Sequence, residues 1–94
     1  MIYLDNAATT KVNEKVLESM MPYFSEIYCN PSAAYSFAAK GRIAIEDARN
    51  NAAKLIGASD MEIYFTSGGS ESDNWAIKAV AESFSDKGKH IITT

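Results

Sequence analysis

The sequence predicts an α/β fold, a partial parallel sheet flanked by helices, and three features carry that expectation. Residues 61–66, Met-Glu-Ile-Tyr-Phe-Thr, gather aromatic and β-branched side chains in a run of strand length. Residues 71–84 follow with Trp75, Ile77, Ala81 and Phe84 as the apolar side chains of a helix. A second strand-like run, His90-Ile91-Ile92-Thr93-Thr94, then begins. Strand, helix, strand in that order implies a parallel βαβ unit with a right-handed crossover. Two strands do not complete an open parallel sheet, which needs helices on both faces. The chain therefore reads as part of a larger unit.

The other elements follow in order. Ile2 to Leu4 is a short apolar run suited to an edge strand, and Asp5-Asn6-Ala7-Ala8-Thr9-Thr10 is a small, hydrogen-bonding stretch. A helix is expected after Asn13, a good N-cap, with Glu14 favourable in its first turn. Val16, Met20, Tyr23 and Phe24 fall near one face, but Pro22 requires a kink there or an end near Met21. Cys29-Asn30-Pro31-Ser32 reads as a turn. A longer helix is expected over 34–56, with Phe37, Ile45, Ala48, Ala52, Leu55 and Ile56 on its apolar face. Gly41 interrupts it at a cost of about 1 kcal/mol relative to Ala, and Gly57 is placed to end it in the left-handed conformation.

Composition narrows the class. Of 94 residues, 47% are hydrophobic and 22% charged, which is globular composition rather than that of a disordered tail. The net charge of −3 is spread along the chain with no basic stripe, so nucleic-acid binding has no support. No apolar run approaches the length of a membrane span. The start, Met1-Ile2-Tyr3-Leu4-Asp5, lacks the basic and long apolar regions of a signal peptide. Cys29 is the single cysteine, so no internal disulfide is possible; together these features favour the cytoplasm.

The segment best suited to chemistry is Phe65-Thr66-Ser67-Gly68-Gly69-Ser70-Glu71-Ser72-Asp73-Asn74, with a glycine pair and a hydroxyl between a strand's C-terminal end and a helix's start. Glycines let a backbone come close to a ligand. The first helical turn offers unpaired N–H groups and partial positive charge, and a phosphate is the natural occupant. From the residues alone a purely structural role is the simpler reading: Ser70 as N-cap and Asp73 as the N3 acid of a capping box. The loop is neither a Walker A nor a dinucleotide fingerprint. His90, the lone histidine, excludes a multi-histidine metal site and suits a strand start. Cys29 has no evident neighbouring base, Asp5-Asn6 suits an Asx turn, and Trp75 suits a core.

Taken together in order and spacing, several segments resemble cysteine desulfurases of the NifS/IscS type. They are Tyr3-Leu4-Asp5-Asn6-Ala7-Ala8-Thr9-Thr10, Asn30-Pro31-Ser32, Ala48-Arg49 with Ala53 and Leu55-Ile56-Gly57, Ile63-Tyr64-Phe65-Thr66-Ser67-Gly68, Glu71-Ser72-Asp73-Asn74, and Lys89-His90-Ile91-Ile92-Thr93-Thr94. The resemblance implies an aspartate-aminotransferase-like fold of the class V group. On this reading residues 1–12 form an extended N-terminal arm and residues 13–94 begin the large cofactor domain. It also implies a homodimer that uses pyridoxal 5'-phosphate, held on a lysine, to take sulfur from L-cysteine. The products are alanine and an enzyme persulfide, passed to a sulfur-acceptor protein for iron–sulfur cluster assembly. Gly69 and Ser70 fall where the family holds the cofactor phosphate through a backbone N–H and a hydroxyl. The family usually has Ala-Thr there. Cys29 stands where it commonly has glycine, and Tyr35 lies near a position often held by histidine.

The Schiff-base lysine, the ring-facing aspartate and histidine, the carboxylate-binding arginine and the persulfide cysteine all lie beyond Thr94 in the family. None of the seven lysines here matches the Schiff-base motif. No catalytic residue or metal site is therefore assigned to this chain, and alone it is expected to be inactive. Selenocysteine lyases, other class V aminotransferases and a non-catalytic interaction module are the alternatives. A generic phosphate-binding domain would bind inorganic phosphate or nucleotides without the rest of the fold.

Overall fold

A computed structural model of the chain describes residues 1–93. Residues 1–4 run without regular structure into a turn, where the N–H groups of Ala8 and Thr9 donate to the Asp5 carbonyl at 3.1 and 3.4 Å. Helix α1 (Glu14–Met20) starts as its cap requires: the Asn13 side chain accepts the Lys15 N–H at 3.0 Å. It ends where Pro22 stands. That residue instead opens a short helix, α2 (Pro22–Ser25), at whose first position a missing N–H costs nothing. Of the two outcomes expected at Pro22, the helix ends rather than kinks.

The loop that follows is held by its own amide and by the next helix. The Asn30 side chain accepts the Ser32 N–H at 2.9 Å, an Asx turn, and Arg42 donates to the carbonyls of Pro31 (3.0 Å) and Ala33 (2.8 Å). Helix α3 (Ser36–Ile56) carries Arg42. Gly57 ends it with φ +69°, and the Ala58 N–H returns to the Ala53 carbonyl at 2.9 Å, closing a Schellman motif. Gly41, inside α3, has a packing reason: a Cβ there would stand 3.3 Å from Cys29 Sγ and 3.7 Å from Pro31 Cβ. A 3-10 turn, Asp60–Glu62, follows, closed by a capping box between Ser59 and Glu62. Helix α4 (Gly69–Ser83) is the last regular element among the described residues.

The expected partial sheet is not seen among the described residues. Met61 and Glu62 belong to the 3-10 turn, and Ile63 is extended at φ −100°, ψ 124°. No strand forms among the described residues, neither at 2–4, nor at 63–66, nor at 90–93. Thr94, the end of the second expected strand, lies outside them. The physical reason is that a strand is only half of a structure. It needs a neighbouring backbone about 4.8 Å away to take up its N–H and C=O groups. Neither segment forms such a ladder among the described residues.

The core is correspondingly slight. Ala38 (0% exposed) and Ala53 (3%) are the buried apolar residues among those described, and Trp75, expected inside, is 50% exposed. The radius of gyration is 18.2 Å and the extents are 50 × 47 × 23 Å; a compact chain of this length has a radius near 12 Å, or about two thirds of that. The helices are formed, but they have little to close upon.

Candidate functional site

The site is built around the start of α4. Gly68 is the N-cap, Gly69 the first helical residue and Ser70 the second. This corrects the expected frame by two residues: Ser70 is not the cap, and Asp73 is not at N3. Glu71 takes N3, and its Oε2 accepts from the N–H (2.7 Å) and the hydroxyl (2.6 Å) of Ser67. An acid able to reach both donors fixes the helix start earlier than the serine alone suggests. The Ser67 hydroxyl, then the Ser67 N–H, hold the Glu71 carboxyl below its ordinary value, against a small opposing effect of desolvation.

The preceding residue locks the other side of the loop. The Thr66 hydroxyl donates to the Gly68 carbonyl at 3.1 Å and lies 2.6 Å from the Ser72 hydroxyl, which is left to act as the donor of that pair. Asn74 donates to the Ser70 carbonyl at 2.8 Å. The Ser72 N–H is taken up by the Gly68 carbonyl at 3.2 Å. The N–H groups of Gly69, Ser70 and Glu71 precede it, so helix geometry gives them no intrahelical acceptor.

The residues that carry these donors, Gly69, Ser70 and Glu71, are exposed. A Cβ built on Gly68 or on Gly69 meets nothing within 4 Å. First-turn N–H groups, the serine hydroxyl and the positive end of a 15-residue helix form a donor set that suits a phosphate dianion. Glu71, the one negative group in that turn, is engaged by Ser67. The residues present thus fit the phosphate of pyridoxal phosphate. Apolar grooves run along α4. One, lined by Ile77, Val80, Phe84, His90 and Ile91, follows the C-terminal half of α4, and another, lined by Tyr64, Thr66, Ser72 and Trp75, adjoins the phosphate loop.

The remaining candidates fall into structural roles. Cys29 is half-buried and its Sγ donates to the Phe37 carbonyl at 3.2 Å. Tyr35 precedes α3 and makes no side-chain cap. Asp5 acts through its backbone carbonyl in a turn. His90 borders the groove just named. Among the described residues no group of three His, Cys, Asp or Glu could hold a metal ion, and no helix is long and apolar enough to cross a membrane.

Sequence reasoning assigned no task to Arg49. In the structure this half-buried α3 residue donates from Nη1 to the Ile63 carbonyl and stacks its guanidinium over the Phe65 ring, 5.2 Å from the centroid. A backbone carbonyl as partner leaves no signature in side-chain spacing, so only the fold reveals the contact.

The aminotransferase class-V family pattern matches residues 2–94. A cysteine desulfurase IscS from Methanosarcina thermophila is 54% identical over 93 residues, covering 99% of this chain and 23% of that protein. A protein of the same name from Clostridium botulinum is 50% identical with the same coverage, and one from Dictyoglomus turgidum is 54% identical over 24% of its length. A solved structure of a NifS-like protein superposes with a TM-score of 0.83 at 44% identity, covering 88% of this chain and 23% of the other. The chain thus spans under a quarter of the length of these relatives.

Proposed function

The chain belongs to the class-V aminotransferase family, and from that membership we propose that it forms the N-terminal part of a pyridoxal-phosphate-dependent cysteine desulfurase. Residues 1–12 are its N-terminal arm and residues 13–94 the start of its cofactor domain, in a fold of the aspartate-aminotransferase type. The observation that carries the reading is the start of α4, where exposed Gly69 and Ser70 supply first-turn N–H groups and a hydroxyl. The cysteine desulfurase relatives, 50–54% identical over 93 residues, support the choice of L-cysteine as substrate.

In this reading the Gly69 and Ser70 N–H groups and the Ser70 hydroxyl grip the cofactor phosphate. The helix start complements its charge. The Thr66–Ser72 and Ser67–Glu71 pairs hold the loop in shape, so little order is lost on binding. Pyridoxal phosphate, when bound, supplies an electron sink for the amino acid. The cofactor-bearing lysine and the sulfur-accepting cysteine belong to the part of the protein that this chain does not span. A homodimeric enzyme and a sulfur-acceptor protein complete the proposal.

Release of alanine from L-cysteine by the whole protein, and none by residues 1–94 alone, is the expected result. Ser70→Ala should weaken cofactor affinity by about tenfold, the loss of one hydrogen bond to a charged group. A whole protein that binds no pyridoxal phosphate in an equilibrium titration would overturn the reading.

A further inference from the structure

We propose that Arg49 is a positioning residue for the phosphate loop; the inference rests on the cofactor site proposed above. Residues 63–66 lead directly into that loop, and among the described residues no ladder holds them. Two side-chain contacts flank this segment. Tyr64 turns towards α4 and meets Trp75 edge to face, with ring centroids 5.2 Å apart. Phe65, on the opposite side as an extended backbone requires, lies under the Arg49 guanidinium at 5.2 Å. The same guanidinium takes the Ile63 carbonyl. With a separation of 14 residues, that bond spans more of the sequence than the other side-chain hydrogen bonds seen among the described residues. Arg42, by contrast, reaches back only 9 and 11 residues, to the loop before its own helix.

The restraint passes on without a gap. Phe65 is followed by Thr66, whose hydroxyl binds the Gly68 carbonyl and pairs with Ser72. The Gly68 carbonyl also receives the Ser72 N–H that closes the first turn of α4. Arg49 therefore sets where Thr66 stands, and Thr66 sets how the N–H groups of Gly69 and Ser70 are aimed. A planar group that donates at its edge and stacks on its face can make both contacts at once; a lysine ammonium cannot. A free guanidinium is also an anion ligand, but this one is spent on a carbonyl and a ring, so it acts on phosphate only through the loop.

The test uses the whole protein that contains this chain and compares pyridoxal phosphate with pyridoxal, which lacks the phosphate. Arg49→Ala should weaken the phosphorylated ligand by about tenfold, the effect of losing one charge-assisted contact, and leave pyridoxal unchanged. The phosphorus-31 resonance of the bound cofactor should move. Arg49→Lys should recover only part of the affinity. Phe65→Leu, which keeps the carbonyl contact and removes the ring, serves if Arg49→Ala does not fold, and should show the same selective loss in weaker form. Equal loss for both ligands, or a lower melting temperature with both affinities intact, overturns the inference and leaves the proposed function standing. A wild-type protein that binds neither ligand overturns both.

Discussion

Glu71 shows how one exposed residue sets the frame of the site. Its carboxylate accepts two hydrogen bonds from Ser67, which fixes Gly68 as the cap and puts Gly69 and Ser70 in the first turn. Those bonds hold its pKa below the ordinary 4.5. A group whose folded pKa is depressed contributes stability above its unfolded pKa and loses it as pH falls through the folded value. The ordered start of α4 should therefore be intact at neutral pH and loosen only below about pH 4.5, the range in which a carboxylate takes up its proton. Hydrogen exchange at the Ser67 amide reads this directly. Glu71→Gln at pH 7 should give the same faster exchange that wild type shows at acid pH, and exchange unmoved by the substitution would show that Ser67 is held by something else. Neighbouring Asp73, which sequence alone offered for the N3 role, should have no such effect. From the sequence, the Gly-Gly-Ser break identified the loop, but which acid caps it was not legible. Glu71 and Asp73 are both suitably spaced acids, and only the reach of the side chain to Ser67 distinguishes them.

At the scale of elements, a helix announces its ends locally and a strand does not. Asn13 caps α1, Pro22 stops it, and Gly57 ends α3 at φ +69°, each through groups within a few residues of one another. Gly57 can be separated from mere space-filling. A Cβ there meets nothing within 4 Å, so any cost of Gly57→Ala comes from the backbone alone. The expected loss is about 1 kcal/mol, read as a lower urea midpoint with an unchanged slope. Gly57→Asn should lose less, because Asn tolerates the left-handed region better. An alanine variant as stable as wild type would mean that the α3 terminus relaxes out of that conformation. The strands expected at 61–66 and 90–94 rest on residue type alone. Tyr64 and Phe65 do turn to opposite sides, so the extended alternation is legible where the hydrogen-bonded ladder is not. A ladder depends on a partner distant in sequence, which no local pattern supplies.

The whole molecule extends the same argument. The chain superposes on a NifS-like structure at a TM-score of 0.83, yet among the described residues only Ala38, Gly41 and Ala53 are buried. Leu55, Ile56, Phe65, Trp75 and Ile92 all stand exposed. So many large apolar side chains left exposed are characteristic of an interface or of a fold seen in part, and this chain covers 23% of the NifS-like chain it resembles. Residues 1–94 alone should therefore be stable only when joined to copies of themselves or to the remaining chain of the proposed enzyme. Among the described residues no strand ladder forms at 63–66 or 90–93, which adds a second reason, because open strand-like segments invite pairing with another chain. Sedimentation equilibrium over a wide dilution range, followed together with far-ultraviolet circular dichroism, is the measurement. Mass and helix content should fall together as the protein is diluted, because the contacts that join copies are those that hold the helices in place. Helix loss should begin in α1 and α2, whose 7 and 4 residues are too few to persist in water unaided, and reach the 21-residue α3 last. A cooperative, folded monomer at low micromolar concentration would show that the two buried alanines and the ring contacts suffice, and that the exposed apolar faces need no cover.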